Sequence, residues 1–212
     1  NSLSRITGPK CKLCRREKIK LFLKGDRCFS SRCAMEKRAF APGQHGKSPS
    51  KLSEYGLRLR EKQKAKRIYG MNEAQFKRFF SIASRKPGVT GEYLLKLLES
   101  RLDSTVYRSG FAASRDMARQ LVTQGHVLVN NKIVNIPSYI MKPNDVILVK
   151  QRSKDLKIIK LSIERVKERG FNSVSWLEVN HDELKTVYKK APEENEIGSI
   201  LEKQLIVEFY KR

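Results

Sequence analysis

Ser114-Arg115-Asp116-Met117-Ala118-Arg119-Gln120-Leu121-Val122-Thr123-Gln124-Gly125-His126-Val127-Leu128-Val129-Asn130-Asn131-Lys132-Ile133-Val134-Asn135-Ile136 decides the fold, because its apolar period changes at Gly125. Met117, Ala118, Leu121 and Val122 recur at the spacing of one helix face; Ser114 is placed to cap that helix and Gly125 to end it. Beyond Gly125, His126 to Asn130 and Lys132 to Ile136 are short and rich in Val and Ile, so they read as strands. Asn130-Asn131 joins them, with side chains that tolerate the left-handed conformation of a tight hairpin. Pro143-Asn144 marks a turn before a third strand, Asp145 to Lys150. Helices feeding a small antiparallel sheet make a compact α/β module within a chain of α+β class.

Upstream, Thr90 opens a helix with Tyr93, Leu94, Leu97, Leu98 and Leu102 on one stripe, and Arg101 and Arg108, seven apart, lie near one face. Ser53 caps a helix that runs to about Tyr69 and stops at Gly70, with a dense basic face at Arg58, Lys62 and Arg60, Lys64, Arg67. Asn72, with Gln75 at capping-box distance, opens a helix whose Phe76, Phe79 and Phe80 suit a core. Downstream, Ser153 to Arg169 reads as helix, Trp176 to Val179 and Lys185 to Tyr188 as strands, and Pro192 to Gly198 as an acidic loop. Ser199 and Glu202 at capping-box distance favour a final helix to Tyr210, although Leu205-Ile206-Val207 also suits a strand.

The chain has 212 residues, a length for one or two domains, and no internal repeat. Lys and Arg total 45 against 22 Asp and Glu, a net charge of +23 that points to a polyanionic partner and away from an ordinary neutral enzyme. Residues 1–50 hold 13 basic and 3 acidic side chains and residues 51–70 hold 7 and 2, so most of the excess lies in the first third. With 39% hydrophobic and 32% charged residues, parts of the chain are expected to depend on a partner for order. The longest apolar run, Val146 to Val149, is far short of the roughly 20 residues of a membrane span. Leu21-Phe22-Leu23 is too short for a signal core, so a soluble, unexported protein is expected. The basic stretch Arg58 to Arg67 lacks the broad apolar face of an interfacial helix, which favours nucleic acid over a membrane surface.

Cys11 and Cys14 are separated by two residues, Cys28 and Cys33 by four, and all four fall within 23 positions. Two such pairs can close a tetrahedron around Zn2+, with an iron–sulfur cluster as the alternative; a disulfide pair or free core cysteines are the bland readings. Lys12, Arg15, Arg16, Arg27 and Arg32 are expected to lower the thiol pKa values and favour thiolate. A closed four-thiolate site would organise a peptide too small to fold alone rather than catalyse. The loop that follows ends in Gly46-Lys47-Ser48, yet position 41 is Ala41 where a P-loop needs Gly, and no strand precedes it.

Arg101-Leu102-Asp103, Gly110, Ser114, Ala118-Arg119-Gln120, Gly125-His126-Val127, Val129-Asn130, Pro137-Ser138 and Asp145 together resemble the signature of the S-four RNA-binding module. With Gly8-Pro9, the four cysteines, Pro42-Gly43-Gln44-His45-Gly46, the Arg58 to Lys64 helix and Leu205 to Tyr210, the resemblance covers nearly the whole chain. It extends to the family of bacterial small-subunit ribosomal protein S-four. Asn131 stands where the module usually has Gly, and Ser48 and Pro49 stand where relatives often carry basic residues. The resemblance implies a structural component of the small subunit, in the cytoplasm, that binds 16S rRNA first. It implies docking at a junction of the 5′ domain, nucleation of assembly, and a contribution to translational accuracy near the mRNA entry path beside ribosomal proteins three and five. The expected organisation is a four-cysteine metal knuckle at 1–45, a helical rRNA-binding domain at 46–93 completed by 180–212, and the S-four-type module at 94–179.

No catalysis is expected. The RNA face of the module is expected from Arg101, Arg108, Arg115, Arg119, His126 and the Asn130-Asn131 hairpin, with the helix N-terminus at Ser114 favouring a phosphate. Arg58, Arg60, Lys62, Lys64 and Arg67 are expected to clamp backbone nearby, Arg15 and Arg16 to hold a further RNA helix, and Gln44, His45 and Lys47 to offer a loop contact. An RNA-modifying enzyme that borrows the module is the first rival, but the flanks offer no nucleophile–base pair or cofactor motif. A zinc-ribbon DNA-binding regulator is the second, and it predicts a preference for duplex DNA over folded RNA.

Overall fold

A computed structural model of the chain describes residues 6–48, 51–168, 174–197 and 200–211. The chain divides into two compact units, residues 1–94 with 199–212, and residues 95–198. The boundary falls inside one helix, Thr90–Glu99.

The first unit contains α1 (Lys10–Glu17), a 3-10 turn (Gly25–Cys28), α2 (Ala34–Lys37), α3 (Glu54–Ile68), α4 (Glu73–Ser84), the start of α5 (Thr90–Glu99), and a helix contributed by Lys203–Tyr210. The expected caps form: the Gly56 N–H donates to Ser53 Oγ at 3.1 Å, and the Gln75 N–H donates to Asn72 Oδ1 at 2.8 Å. Gly70 follows α3 with φ 61°, the left-handed conformation that stops a helix. Phe76, Phe79, Phe80, Ala65 and Met71 are buried as a core.

The second unit contains the end of α5, α6 (Leu102–Arg108), α7 (Arg115–Thr123), β1 (Val127–Val129), β2 (Lys132–Ile133), β3 (Asp145–Val149), a 3-10 turn (Gln151–Ser153), α8 (Lys157–Glu168), β4 (Leu177–Asn180), β5 (Lys185–Tyr188) and α9 (Glu194–Ile197). Lys203–Tyr210 is therefore α10. The strands form one antiparallel sheet in the order β2-β1-β3-β5-β4. Val129 pairs with Lys132 across Asn130 (φ 49°) and Asn131 (φ 64°), the two positive φ values of a type I′ hairpin. Inward residues of the sheet, Val127, Val129, Ile147, Val149 and Tyr188, pack with Leu102, Val106, Phe111, Ala118, Leu121, Val122, Ile159 and Trp176.

The α+β class holds, and several boundaries differ. The stripe from Thr90 to Leu102 is two helices, because Ser100 and Arg101 interrupt it. Residues 180–198 lie with the sheet unit and not with the helical domain, because β5 inserts between β3 and β4, with Asp145 opposite Tyr188. Only Lys157–Glu168 of the expected Ser153 to Arg169 helix is α-helical, Ser153 lying in a 3-10 turn, and Arg169 lies outside the described residues. The acidic loop contains the short α9. Leu205-Ile206-Val207 is helical, not a strand. Ser199 lies outside the described residues, and Glu202 takes the N-cap position of α10, its N–H donating to Glu61 Oε1 of α3 at 2.8 Å. A carboxylate brought by tertiary packing thus sits where α10 presents its positive end.

Candidate nucleic-acid interface

In the sheet unit, the arginines of the expected RNA face are drawn into two clusters around buried acids. Arg101 is 0% exposed and grips Asp103 with both ends of its guanidinium, Nε to Oδ1 at 2.9 Å and Nη2 to Oδ2 at 2.6 Å. Arg119 Nη1 reaches the same Oδ2 at 3.7 Å. Glu99, 1% exposed, takes both Arg108 (3.0 and 2.9 Å) and Arg115 (2.9 Å). Arg115 also covers the Tyr107 ring at 4.7 Å, and Arg108 lies 6.0 Å from that of Trp176. Arg101 is corrected from an RNA contact to an internal strut, since a wholly buried charge that loses its partner is costly and cannot reach a ligand. Arg108, Arg115 and Arg119 keep an exposed edge.

Ser114 is also buried, and its hydroxyl accepts from the Met117 N–H at 3.3 Å, so its group is engaged in the cap. Asn130 is exposed, but its amide is fixed: Nδ2 donates to Asp145 Oδ1 at 2.8 Å and Oδ1 accepts from the Val146 N–H at 2.9 Å. Asn131 and Lys132 remain exposed at the tip. His126 Nδ1 lies 2.9 Å from Ser153 Oγ and Nε2 lies 3.2 Å from Gln124 Oε1. The Lys150 N–H donates to the His126 carbonyl at 2.9 Å, and the turn that carries Ser153 adds the exposed Arg152 and half-buried Lys154 next to them, Lys150 from the end of an expected strand and Lys154 from the start of an expected helix. The residues flanking the turn, Lys150 and Lys154, gave the only signal, a local charge excess.

On α3 the expected single basic face divides into two stripes, as the 3.6-residue period requires, and each meets carboxylates. Arg58 Nε pairs with Glu208 at 2.7 Å, and Lys62 and Lys66 pair with Glu73 at 2.8 and 2.9 Å. On the other stripe, Arg60 and Arg67 share Glu17, whose side chain is 2% exposed, and Lys64 pairs with Glu61 at 2.7 Å. Burial pushes the Glu17 carboxyl up, against the pull of Arg67 and Arg60. Glu73 behaves oppositely: burial opposes its charge, yet hydrogen bonds from Lys62, Lys66 and Tyr210 bring its carboxyl down to about 2. Lys62, 4% exposed and 4.5 Å from the Phe209 ring, is corrected from an RNA clamp to part of the α3–α10 packing.

In the knuckle, Arg15 Nε donates to the Phe40 carbonyl at 2.9 Å with its guanidinium 5.0 Å from the Phe40 ring, and Arg16 Nη2 donates to the Pro42 carbonyl at 3.3 Å. These bonds fasten α1 to the loop that exposes Gln44, His45 and Lys47. Gly46 is required there, since a Cβ would sit 1.9 Å from the Ala41 carbonyl oxygen. Arg15 and Asp26, Arg27, Ser30, Arg32, Lys37 and Arg38 line an open concavity of about 820 Å³. Its cations come from three short segments, which is why no single sequence run announced it.

The four cysteines carry no disulfide, and Cys14, Cys28 and Cys33 are buried. All four line one cavity of about 20 Å³ floored by Leu23 and Met35. The Lys24 N–H donates to Cys28 Sγ at 3.3 Å, and the Leu21 N–H serves Cys14. Burial pushes the Cys14 and Cys28 thiols up, and the neighbouring cysteines add to the rise. The expected lowering by nearby Arg and Lys does not prevail at these two positions. Among the described residues no three His, Cys, Asp or Glu side chains stand close enough to hold a metal ion as placed. The four cysteines nevertheless line one small cavity, and two of their sulfurs receive backbone N–H groups.

Among the described residues no helix is long and apolar enough to cross a membrane. Residues 5–99 match the family described as Ribosomal protein S4/S9 N-terminal domain, and residues 100–147 match the S4 domain. The small ribosomal subunit protein uS4 of Thermodesulfovibrio yellowstonii is 53% identical over 99% of this chain and 100% of its own length. Those of Dictyoglomus thermophilum and Thermotoga maritima are 55% and 50% identical, each over 99% of this chain and the whole of the relative.

Proposed function

This chain belongs to the family of small ribosomal subunit protein uS4, and we propose from that premise that it is a structural, non-catalytic rRNA-binding component of the small subunit, working on the cytoplasmic ribosome. The observation that carries the proposal is likeness along the whole chain, not in the module alone, to proteins of that name. An enzyme that borrowed the module would depart from them outside residues 100–147.

The finer reading is that the protein binds 16S rRNA early, at a junction of the 5′ domain, helps nucleate assembly, and lies near the mRNA entry path beside ribosomal proteins three and five, with an effect on accuracy. Exposed cations in both units support binding to folded RNA, whose recognition rests on shape and phosphate placement. Filter binding to a 16S 5′-domain transcript should exceed binding to duplex DNA of equal length and fall steeply with salt. Absence of binding at low ionic strength overturns the reading, and preference for the duplex favours a DNA-binding regulator.

For the knuckle the proposed ligand is Zn2+, held by Cys11, Cys14, Cys28 and Cys33, with an iron–sulfur cluster as the alternative; bound metal would supply a structural cross-link. Elemental analysis of the purified protein tests this, with stoichiometric zinc expected and loss of zinc in Cys14→Ser. Metal-free native protein overturns it, and stoichiometric iron selects the cluster.

A further inference from the structure

Two aromatic rings on the knuckle are open to solvent. Phe22 is 38% exposed and Phe29 is 56% exposed, yet they stack with centroids 4.9 Å apart and planes at 30°. Phe22 takes φ 52°, a left-handed conformation that is costly for a bulky side chain. Phe29 lies between Arg27 and Ser30, which line the basic concavity together with Arg15, Asp26, Arg32, Lys37 and Arg38. The rim is stiffened by its own bonds: Arg27 Nε donates to the Arg32 carbonyl at 3.4 Å, Ser30 Oγ donates to the Arg27 carbonyl at 3.2 Å, and the Arg32 N–H donates to Ser30 Oγ at 3.3 Å.

A stacked, solvent-facing aromatic pair beside a stiff cationic hollow is suited to one chemistry. Paired bases are already stacked on their neighbours and offer no face, whereas an unpaired base can extend an aromatic stack while cations hold the phosphates on either side. We propose that the knuckle binds a single-stranded RNA segment, with one unpaired base added to the Phe22–Phe29 stack and the adjoining backbone in the concavity. Charge complementarity selects RNA over an acidic protein segment, because a peptide carboxylate would use the cations and leave the rings idle. This rests on the RNA-binding function above and specifies the form of RNA that one part of the surface takes.

The test uses the full-length protein and a single-stranded RNA of about eight nucleotides, within the range of single-strand site sizes, with one 2-aminopurine whose fluorescence is quenched on stacking. The wild type should quench it at low salt. Phe29→Leu should lose the quench and bind roughly 5- to 150-fold more weakly, as removal of one base–aromatic stack predicts. Phe29→Tyr should keep both, which separates stacking from loss of structure. Lys37→Gln should weaken binding and lower the salt slope by about 0.7, while leaving the quench at saturation unchanged. Equal quenching by wild type and Phe29→Leu overturns the proposal, as does a loss of affinity in Phe29→Leu that is as large for a fully paired RNA as for the single strand, or displacement of the RNA by a poly-glutamate peptide at equal charge. The 5′-domain transcript is titrated in parallel. Transcript binding without oligonucleotide quenching sinks only the stacking proposal, and failure to bind the transcript sinks the function as well.

Discussion

On α3, the cations Arg58, Arg60, Lys62, Lys64, Lys66 and Arg67 meet the carboxylates of Glu17, Glu54, Glu61, Glu73 and Glu208. Around the knuckle concavity, Arg15, Arg27, Arg32, Lys37 and Arg38 share the rim with Asp26. The two regions are equally basic when read along the chain and differ once folded. Helix α3 has its neighbours packed close, so its charges are desolvated and must be matched by acids to be tolerated. The knuckle has too little mass to enclose its charges, so they stay at the surface and add to the field that attracts a polyanion. Density of arginine and lysine therefore does not identify a binding face; the packing around it does.

The sharpest way to break this contrast is to remove an enclosed cation. Arg101→Ala leaves Asp103 buried with less compensation and should cost about 3–5 kcal/mol, read as a lowered urea midpoint. A smaller loss is expected from Glu73→Gln, on the order of 1–2 kcal/mol at pH 7, because its side chain is 46% exposed and solvent screens part of the interaction. The sign follows from a carboxyl held at about 2 against an ordinary 4.5. Its stabilisation is full above the ordinary value and fades as pH falls from there through the folded one. Wild type and Glu73→Gln should therefore converge in stability in strong acid, and a gap that widens below pH 4 would break the assignment.

On the knuckle the same operation should do the reverse. Arg38→Gln should leave stability within about 0.5 kcal/mol and flatten the salt dependence of RNA binding by about 0.7 to 0.9 for each phosphate it no longer neutralises. Lys64→Gln on α3 should lower stability with no change in that slope. If the two variants exchanged behaviour, the contrast would be wrong. The smallest effect is expected at Asn131→Gly, where φ is already 64°, with stability rising by less than about 0.5 kcal/mol and the hairpin intact by NMR.

Local chemistry was legible. Ser53, Asn72 and Ser114 cap their helices through backbone N–H groups three residues on, an arrangement fixed by residue type and spacing. Asn130-Asn131 likewise announces its turn. What stayed hidden depends on encounters between distant residues. Nothing near Arg60 and Arg67 marks Glu17 as their common partner, and nothing near Lys62 marks Phe209. The strand pattern of Lys185 to Tyr188 could be read, but not its place between β3 and β4, which set the unit boundary. The candidate site suffered most, because ion pairing withdraws an arginine from a surface without altering its periodicity.

The packing of α10 on α3 through Lys62, Phe209 and Tyr210 bears on the order in which the molecule is made. Residues 95–198 are continuous in the chain and can close as soon as they leave the ribosome, whereas the unit begun at the front needs Lys203–Tyr210, synthesised after all of them. During translation the nascent chain therefore finishes its middle before its beginning, and Lys62 of α3 and Glu73 of α4 wait in water until a late helix arrives beside them.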